Sequence, residues 1–295
     1  MAVKVDITHP DRVLFPDDGI TKGDLVDYSA EVAGVMLPHL KERPLTLWRY
    51  PRGIDQQGFV QQDFRGALPD WMGAAEVAKD DGTIVHPVAD RREALILLAN
   101  QNCVTVHSWL SRRDRLDEPD QVIFDLDPSA GDFAPVRAAA QACADVLRDL
   151  GLAPYLKTTG SRGLHVVAPL SRGPGFDSVR QFARDVADVV AADDPAYRTV
   201  EQRKNKRGDR IYIDVMRNAY AQTAVAPYAV RARRAAPVAT PLEWDELSAR
   251  GMRSDRFTIR DVPKRLAEQG DPWADMRKHA RALSRPMQRL SKLHA

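Results

Sequence analysis

Between Gln121 and Met216 the apolar periodicity of the chain switches repeatedly, and the order of those switches constrains the fold more than any other feature. The run QVIFD reads as a strand. Residues 132–150 read as a helix, with Val136, Ala140, Cys143, Leu147 and Leu150 facing inward and Gly151 ending it. A strand (APYLKTT), a turn (GSRG), a second strand (LHVVAPL), a helix near 176–192 and a last strand (RIYIDVM) follow. The order β-α-β-β-α-β is that of the split βαβ, ferredoxin-like arrangement, which sets strand ends from distant sequence side by side.

The first of these strands runs straight into Asp125-Leu-Asp127-Pro128. Side chains alternate on a strand, so Asp125 and Asp127 share one face while Leu126 takes the other, and Pro128 closes the strand. Two like charges so close raise each other's pKa. A divalent cation removes that cost, and carboxylate oxygens suit Mg²⁺ or Mn²⁺. A bare DxD is equally consistent with a hydrated strand end. Asp214, closing IYID, adds weight: the topology can bring it beside Asp125, and three carboxylates suffice for two ions of the kind that assist phosphoryl displacement.

Between the two middle strands lies Thr158-Thr-Gly160-Ser161-Arg162-Gly163-Leu-His165. Gly160 and Gly163 permit positive φ and close backbone approach. Successive N–H groups in such a turn can cradle an anion, with Ser161, Arg162 and His165 as side-chain donors. A tight hairpin would need the glycines but not those three together.

The remaining sequence sets limits. Hydrophobic residues are 44% and charged residues 28% of the 295, the balance of an ordinary soluble protein with length for one large domain or two small ones. No apolar run approaches the ~20 residues that cross a bilayer, and MAVKVDITHP lacks the apolar core of a signal peptide. Cys103 and Cys143 read as buried free thiols in a reducing cytoplasm. Net charge is only +2, so any nucleic-acid contact must come from local clusters. Those are RKNKRGDR at 203–210, RARR at 231–234, and Arg277, Arg281 and Arg285, whose spacing would stripe one helix face. Residues 21–40 read as a helix opened by Thr21 and Asp24. Strands are expected at 45–49, 58–62, 83–88 and 103–107, a helix at 91–100, loop with short strands at 218–242, and a helix over 272–292 interrupted by Pro286.

The combination VIFDLDP, TTGSRGLHV and IYIDVMRNAYAQTAVAPYAVRAR resembles the polymerase domain of bacterial DNA ligase D, within the archaeo-eukaryotic primase superfamily. VLFPDDGITKGDLVDY, MLPHLKERPLTLWRYPRGID, GFVQQ and PVATPLEWDEL agree, so the resemblance spans about residues 5–250. It implies an α+β primase-polymerase fold, with a split βαβ (RRM/ferredoxin-like) catalytic core packed against an N-terminal β-rich subdomain. The expected division is a single domain over 1–295: a DNA-binding subdomain to about 110, a catalytic core at about 111–250 and a helical tail at about 251–295.

The resemblance also assigns roles. Asp125, Asp127 and Asp214 would hold two Mn²⁺ or Mg²⁺ ions and serve catalysis. His107, Ser161, Arg162, Gly163, His165 and Arg231 would bind the nucleotide. Lys22, Arg49, Phe59, Lys204 and Arg207 would meet DNA, Lys22 at a downstream 5′-phosphate and Phe59 on the template. The implied activity is template-directed addition of NTP or dNTP, ribonucleotides preferred, at short gaps or double-strand-break ends in non-homologous end joining. The implied enzyme is a stand-alone cytoplasmic, nucleoid-associated monomer, with no membrane partner and with Ku and a separate ligase as partners. Departures from the family are Val60, where a second aromatic is common, Gln62, where a lysine is common, and Arg162 in place of lysine.

Two other readings remain open at this level. VIFDLDP also resembles the first motif of haloacid-dehalogenase-type phosphatases, and AADDP at 191–195 could pose as their late acidic pair. Against that, the motif lies mid-chain and Pro128-Ser129 stands where that family has Gly-Thr. A catalytically inactive nucleic-acid-binding module would use the basic clusters alone, leaving the three aspartates unexplained.

Overall fold

The alternating periods of residues 121–216 form β1 (Gln121–Asp127), α1 (Ala134–Asp149), β2 (Tyr155–Thr158), β3 (Leu164–Pro169), α2 (Phe176–Asp193) and β4 (Ile211–Asp214) in a computed structural model that describes residues 3–79, 82–129 and 132–292. The strands lie in the order β4-β1-β3-β2, each antiparallel to its neighbour, as a ferredoxin-like sheet requires. Arg198–Thr199 extends the sheet beside β4 and Pro241–Leu242 extends it beside β2.

Alternation divides the sheet into an apolar face and one that carries Asp125, Asp127, His165, Lys157 and Asp214 beside buried Ile123 and Val167. Phe124, Leu126, Leu164, Val166 and Ile213 point one way and are buried. Val136, Ala140, Cys143 and Leu147 of α1, with Val179, Phe182, Val186 and Val190 of α2, are buried too, and both helices pack on β1. Burying side chains of this size contributes ~1.5–3 kcal/mol each, which fixes the face that carries the helices and leaves the other to accommodate polar groups.

Beyond Asp214 the chain leaves the sheet, and a side chain takes its place. Wholly buried Asn218 accepts from the Ile123 N–H at 2.8 Å and donates to the Ile123 carbonyl at 2.7 Å and the Val215 carbonyl at 2.9 Å. Its amide thus serves both ladder groups of Ile123 and pins the 3₁₀ turn Met216–Asn218 to β1.

Contacts along the chain define two units. One comprises Met1–Asp114, Thr223–Thr240 and Phe257–Asp271; the other comprises Arg115–Gln222, Pro241–Arg256 and Pro272–Ala295 and holds the sheet just described. The first unit has a four-stranded antiparallel sheet, in spatial order Thr223–Val225, Cys103–Trp109, Leu45–Arg49 and Phe59–Gln61. It also has a hairpin of Gly73–Lys79 and Gly82–Val88, whose Ala-rich first strand the sequence did not announce. Arg92–Asn100 is helical as expected.

Two expectations are corrected. The helix over 21–40 is two helices, Lys22–Glu31 and Ala33–Leu40, parted at Val32, although the Thr21–Asp24 capping box is present. In the tail the helix is confined to Ser284–Ser291, with Pro286 in its first turn. A proline there disfavours helical backbone just before it, so it marks a start rather than an interruption. Arg277 lies in the 3₁₀ turn Met276–His279 and Arg281 bridges to Leu170, so Arg277, Arg281 and Arg285 form no helical stripe.

Cys103 and Cys143 are buried and free, and burial pushes both thiols up to about 12. No helix among the described residues is long and apolar enough to cross a membrane.

Replacing Asn218 by Ala strands a buried donor and a buried acceptor on Ile123. The Asn218→Ala protein should lose about 2–4 kcal/mol in urea unfolding, and a loss below ~1 kcal/mol would mean that water replaces the amide.

Candidate active site in the ferredoxin-like unit

The register of the sheet builds a polar row on the face away from the helices. Asp125 lies directly opposite Asp214 on β4 and opposite His165 on β3, and His165 lies opposite Lys157 on β2. Residues so paired share a face with Cβ atoms ~4.5–5.5 Å apart. The row therefore reads Asp214, Asp125, His165, Lys157 across four strands. Asp127 stands one pleat further along the same face, opposite Tyr212.

Each carboxylate has a partner. His165 Nε2 lies 3.4 Å from Asp125 Oδ1, and Arg217 Nε lies 3.7 Å from Asp125 Oδ2. Burial alone would raise the Asp125 carboxyl, but His165, Arg217 and Lys157 together hold it below the usual range. Burial, and then the Lys157 charge, push the His165 imidazole down to about 4, so the ring is neutral at pH 7. The adjacent carboxylate favours the tautomer protonated at Nε2. Nδ1 then carries a lone pair, buried and with no hydrogen-bond partner among the described residues. Burial raises the Asp214 carboxyl, opposed by the Met216 N–H donating at 2.7 Å and reinforced by the charge of Asp125. The Tyr212 hydroxyl donates to Asp214 Oδ1 at 3.3 Å. Asp127 Oδ1 meets Arg162 Nη2 at 3.3 Å.

The glycine turn is fixed by two constraints. Gly160 has φ 62°, and a Cβ on Gly163 would collide with the Leu126 carbonyl oxygen. Thr159 closes the turn, its hydroxyl donating to the Gly163 carbonyl at 3.0 Å and accepting from the Gly163 N–H at 3.3 Å. That N–H is therefore spent on the turn, and Gly163 matters for its missing side chain. The Ser161 carbonyl accepts from Ser254 Oγ at 2.8 Å, and Arg162 is largely exposed.

The description "LigD, primase-polymerase domain" belongs to the family profile that matches residues 21–273. The chain belongs to this family. Its members are nucleotidyltransferases, which removes the phosphatase reading. The multifunctional non-homologous end joining protein LigD of Mycolicibacterium smegmatis is 33% identical over 92% of this chain, and the bifunctional LigD of Bacillus subtilis is 31% identical over 92%. The chain spans 36% and 44% of those proteins. The polymerase domain of Mycobacterium tuberculosis ligase D, solved in complex with DNA, superposes with TM-score 0.88 at 32% identity, covering 94% of this chain and 99% of that one.

Of the expected site residues, Asp125, Asp127, Asp214, Ser161, Arg162, Gly163 and His165 all fall in the unit with the ferredoxin-like sheet. Among its described residues no three His, Cys, Asp or Glu side chains are gathered to hold an ion as they stand. The donor set nevertheless fits a hard divalent cation, with two carboxylates directly opposed and a third on the same face. Arg217 and Lys157 belong to this site and escaped the sequence reading. An arginine three residues past Asp214 and a lone lysine inside the apolar strand APYLKTT were the available signals.

Lys204 and Arg207 open and close a short helix, Lys204–Arg207. Lys204 is exposed. Arg207 is buried, donates to the Glu201 carbonyl at 2.9 Å and the Gln202 carbonyl at 2.7 Å, and stacks 3.7 Å above the Tyr212 ring. Two of its donors, Nε and Nη2, are thus committed to its own loop.

His107, Arg231, Lys22, Arg49 and Phe59 fall in the other unit. His107 packs beside Trp48, ring centroids 6.2 Å apart. The Arg231 backbone donates to the Pro237 carbonyl at 2.8 Å, and its charge bears on Tyr50. Arg49 donates to the Gln61 side chain at 2.6 Å and lies 5.4 Å from the centre of exposed Phe59. Lys22 is buried, with Nζ donating to Thr8 Oγ1 at 3.0 Å and the Asn100 carbonyl at 3.2 Å. Burial first, then the charge of Arg12, lowers its pKa, and neither cation has an ion-pair partner among the described residues. Arg12 is a further member that the sequence reading missed.

His165 gives a pH signature. Its pKa is about 4 when folded against 6.5 in its absence, so between those values the unfolded chain takes up a proton that the folded one refuses. Stability therefore falls as pH falls through that window, by at most ~1.4 kcal/mol per pH unit from this residue. Urea unfolding between pH 7 and pH 5 should show a shallower decline for His165→Gln than for the natural protein. Parallel declines would mean that the folded imidazole titrates normally.

Proposed function

We propose that the chain is a template-directed polymerase that fills short gaps and extends break ends in bacterial non-homologous end joining, with ribonucleotides preferred. The carrying observation is the row Asp214, Asp125, His165, Lys157 on one sheet face of a LigD primase-polymerase domain. It joins carboxylates able to hold metal ions to Lys157, a cation of the kind a triphosphate needs.

In this reading the primer 3′-hydroxyl attacks the α-phosphorus of a nucleoside triphosphate, and the bond to pyrophosphate breaks. Asp125, Asp127 and Asp214 would hold two Mn²⁺ or Mg²⁺ ions, which would supply acidification of the attacking hydroxyl and charge neutralisation of the leaving group. Neutral His165 adds no charge, and its Nε2–H, which faces Asp125 in the structure, becomes a donor to a phosphate oxygen once that carboxylate is engaged elsewhere. Lys157 lends that face a buried positive charge. Arg162 and Arg217 balance carboxylates in the structure. With the carboxylates engaged elsewhere, both guanidinium groups are released to the triphosphate oxygens, where a planar fork binds best. In the other unit His107 and Arg231 are the residues assigned to nucleotide binding and Phe59 the one assigned to DNA; in the ferredoxin-like unit Lys204 is assigned to DNA.

Lys22 and Arg12 take the downstream 5′-phosphate. Two cations without a carboxylate partner repel each other, and a bound dianion converts that repulsion into affinity. Ku and a separate ligase are the partners such a reaction calls for, and its place is the cytoplasmic nucleoid.

The test is primer extension on a short gapped duplex with Mn²⁺, with and without a downstream 5′-phosphate, offering NTPs and dNTPs separately. Extension should occur, favour NTPs and rise with the phosphate. Asp125→Asn should abolish it on every substrate. Lys22→Ala should keep extension on a substrate lacking the phosphate and lose the phosphate's enhancement. Extension by Asp125→Asn at the natural rate would overturn the assignment, and equal enhancement in Lys22→Ala would move the phosphate site elsewhere.

A further inference from the structure

In the unit that carries Lys22, the strand Leu45–Arg49 buries Leu45 and Leu47 in the core and leaves Trp48 39% exposed. Trp48 lies directly opposite Val60 on the edge strand Phe59–Gln61, and Val60 is 45% exposed. Paired residues share a face, so the indole and the valine form one apolar surface, flanked by the His107 ring. The indole makes no hydrogen bond among the described residues. Phe59, on the opposite face of the same edge strand, is also 45% exposed. The strand thus shows apolar groups to solvent on both sides, which a sheet edge evolved only for solubility avoids.

The surroundings indicate the occupant. The loop joining these two strands is tied to the cation pair, because Arg12 Nη1 donates to the Pro51 carbonyl at 3.1 Å. Arg49 adds charge beside Phe59, and Arg52 is exposed in the same loop. An aromatic surface on a strand whose following loop carries Arg52 and binds Arg12 matches the two halves of a nucleotide in a strand, base and phosphate.

We infer that Trp48, backed by Val60, is a stacking surface for an unpaired template base in the gap. The inference rests on the proposed gap-filling function and assigns the residue that recognises single-stranded template. Stacking is indifferent to base identity, so the surface senses that a base is unpaired and not which base it is.

The test is fluorescence anisotropy with two labelled duplexes, one with a two-nucleotide gap and one nicked with every template base paired, both bearing the 5′-phosphate. Trp48→Leu keeps the apolar contact and removes the ring; Trp48→Phe keeps a ring. Trp48→Leu should bind the gapped duplex about five- to a hundredfold more weakly, the range for loss of one base stack, and the nicked duplex as the natural protein does. Trp48→Phe should stay within about threefold on both, the smaller ring keeping most of the stack. Equal losses on the two duplexes, no loss, or a Trp48→Phe loss as large as that of Trp48→Leu would each overturn the inference. Failure of the natural protein to bind either duplex would instead overturn the gap-filling reading beneath it. Unchanged thermal unfolding of both variants separates lost stacking from lost fold.

Discussion

The pairing of Asp125 with Asp214 on one side and His165 on the other is the interaction around which the ferredoxin-like unit is organised. Two carboxylates directly opposed across a ladder are mutually destabilising. The fold answers with Arg217 against Asp125, Arg162 against Asp127, and N–H and O–H donors against Asp214. These are polar solutions on one face of a sheet whose other face is closed by two helices. The apolar face supplies the stability that lets the polar face carry an unfavourable arrangement.

The two units divide the chemistry. The ferredoxin-like unit holds carboxylates, a neutral imidazole and a glycine turn, the groups suited to a reacting triphosphate. The other holds Lys22 and Arg12 without acidic partners, and an edge strand with exposed apolar residues, the groups suited to a strand of nucleic acid. Net charge across the whole chain is small because acidic and basic side chains nearly balance within each unit. Bulk charge therefore conceals what the local clusters contain.

Strong period and turn chemistry made part of this legible in the sequence. VIFDLDP has a clear strand period and a proline stop, so the shared face of Asp125 and Asp127 followed from alternation alone. The β-α-β-β-α-β order gave Asp214 its place. What escaped depends on register, which pattern does not fix. Lys157 looked like an ordinary strand lysine until pairing set it beside His165. Arg207 reads as a DNA contact from its basic cluster, yet it is buried over Tyr212. The 272–292 tail misled because arginines at four-residue spacing mimic a helical face whether or not the backbone is helical. Val32 parts the expected 21–40 helix by tertiary context, which local propensity does not contain.

Asn218 acts as an end-stop. Its amide grips both backbone groups of one residue, Ile123, two positions before Asp125 on β1. A slip of one residue between β1 and β4 would forfeit that grip, and it would also turn the carboxylates toward the helices. The spacing from Asp214 to Asn218 is therefore a measured length of chain. An insertion within 215–217 would act as a misalignment of charges rather than as a longer loop, although none of those three residues lies in the sheet.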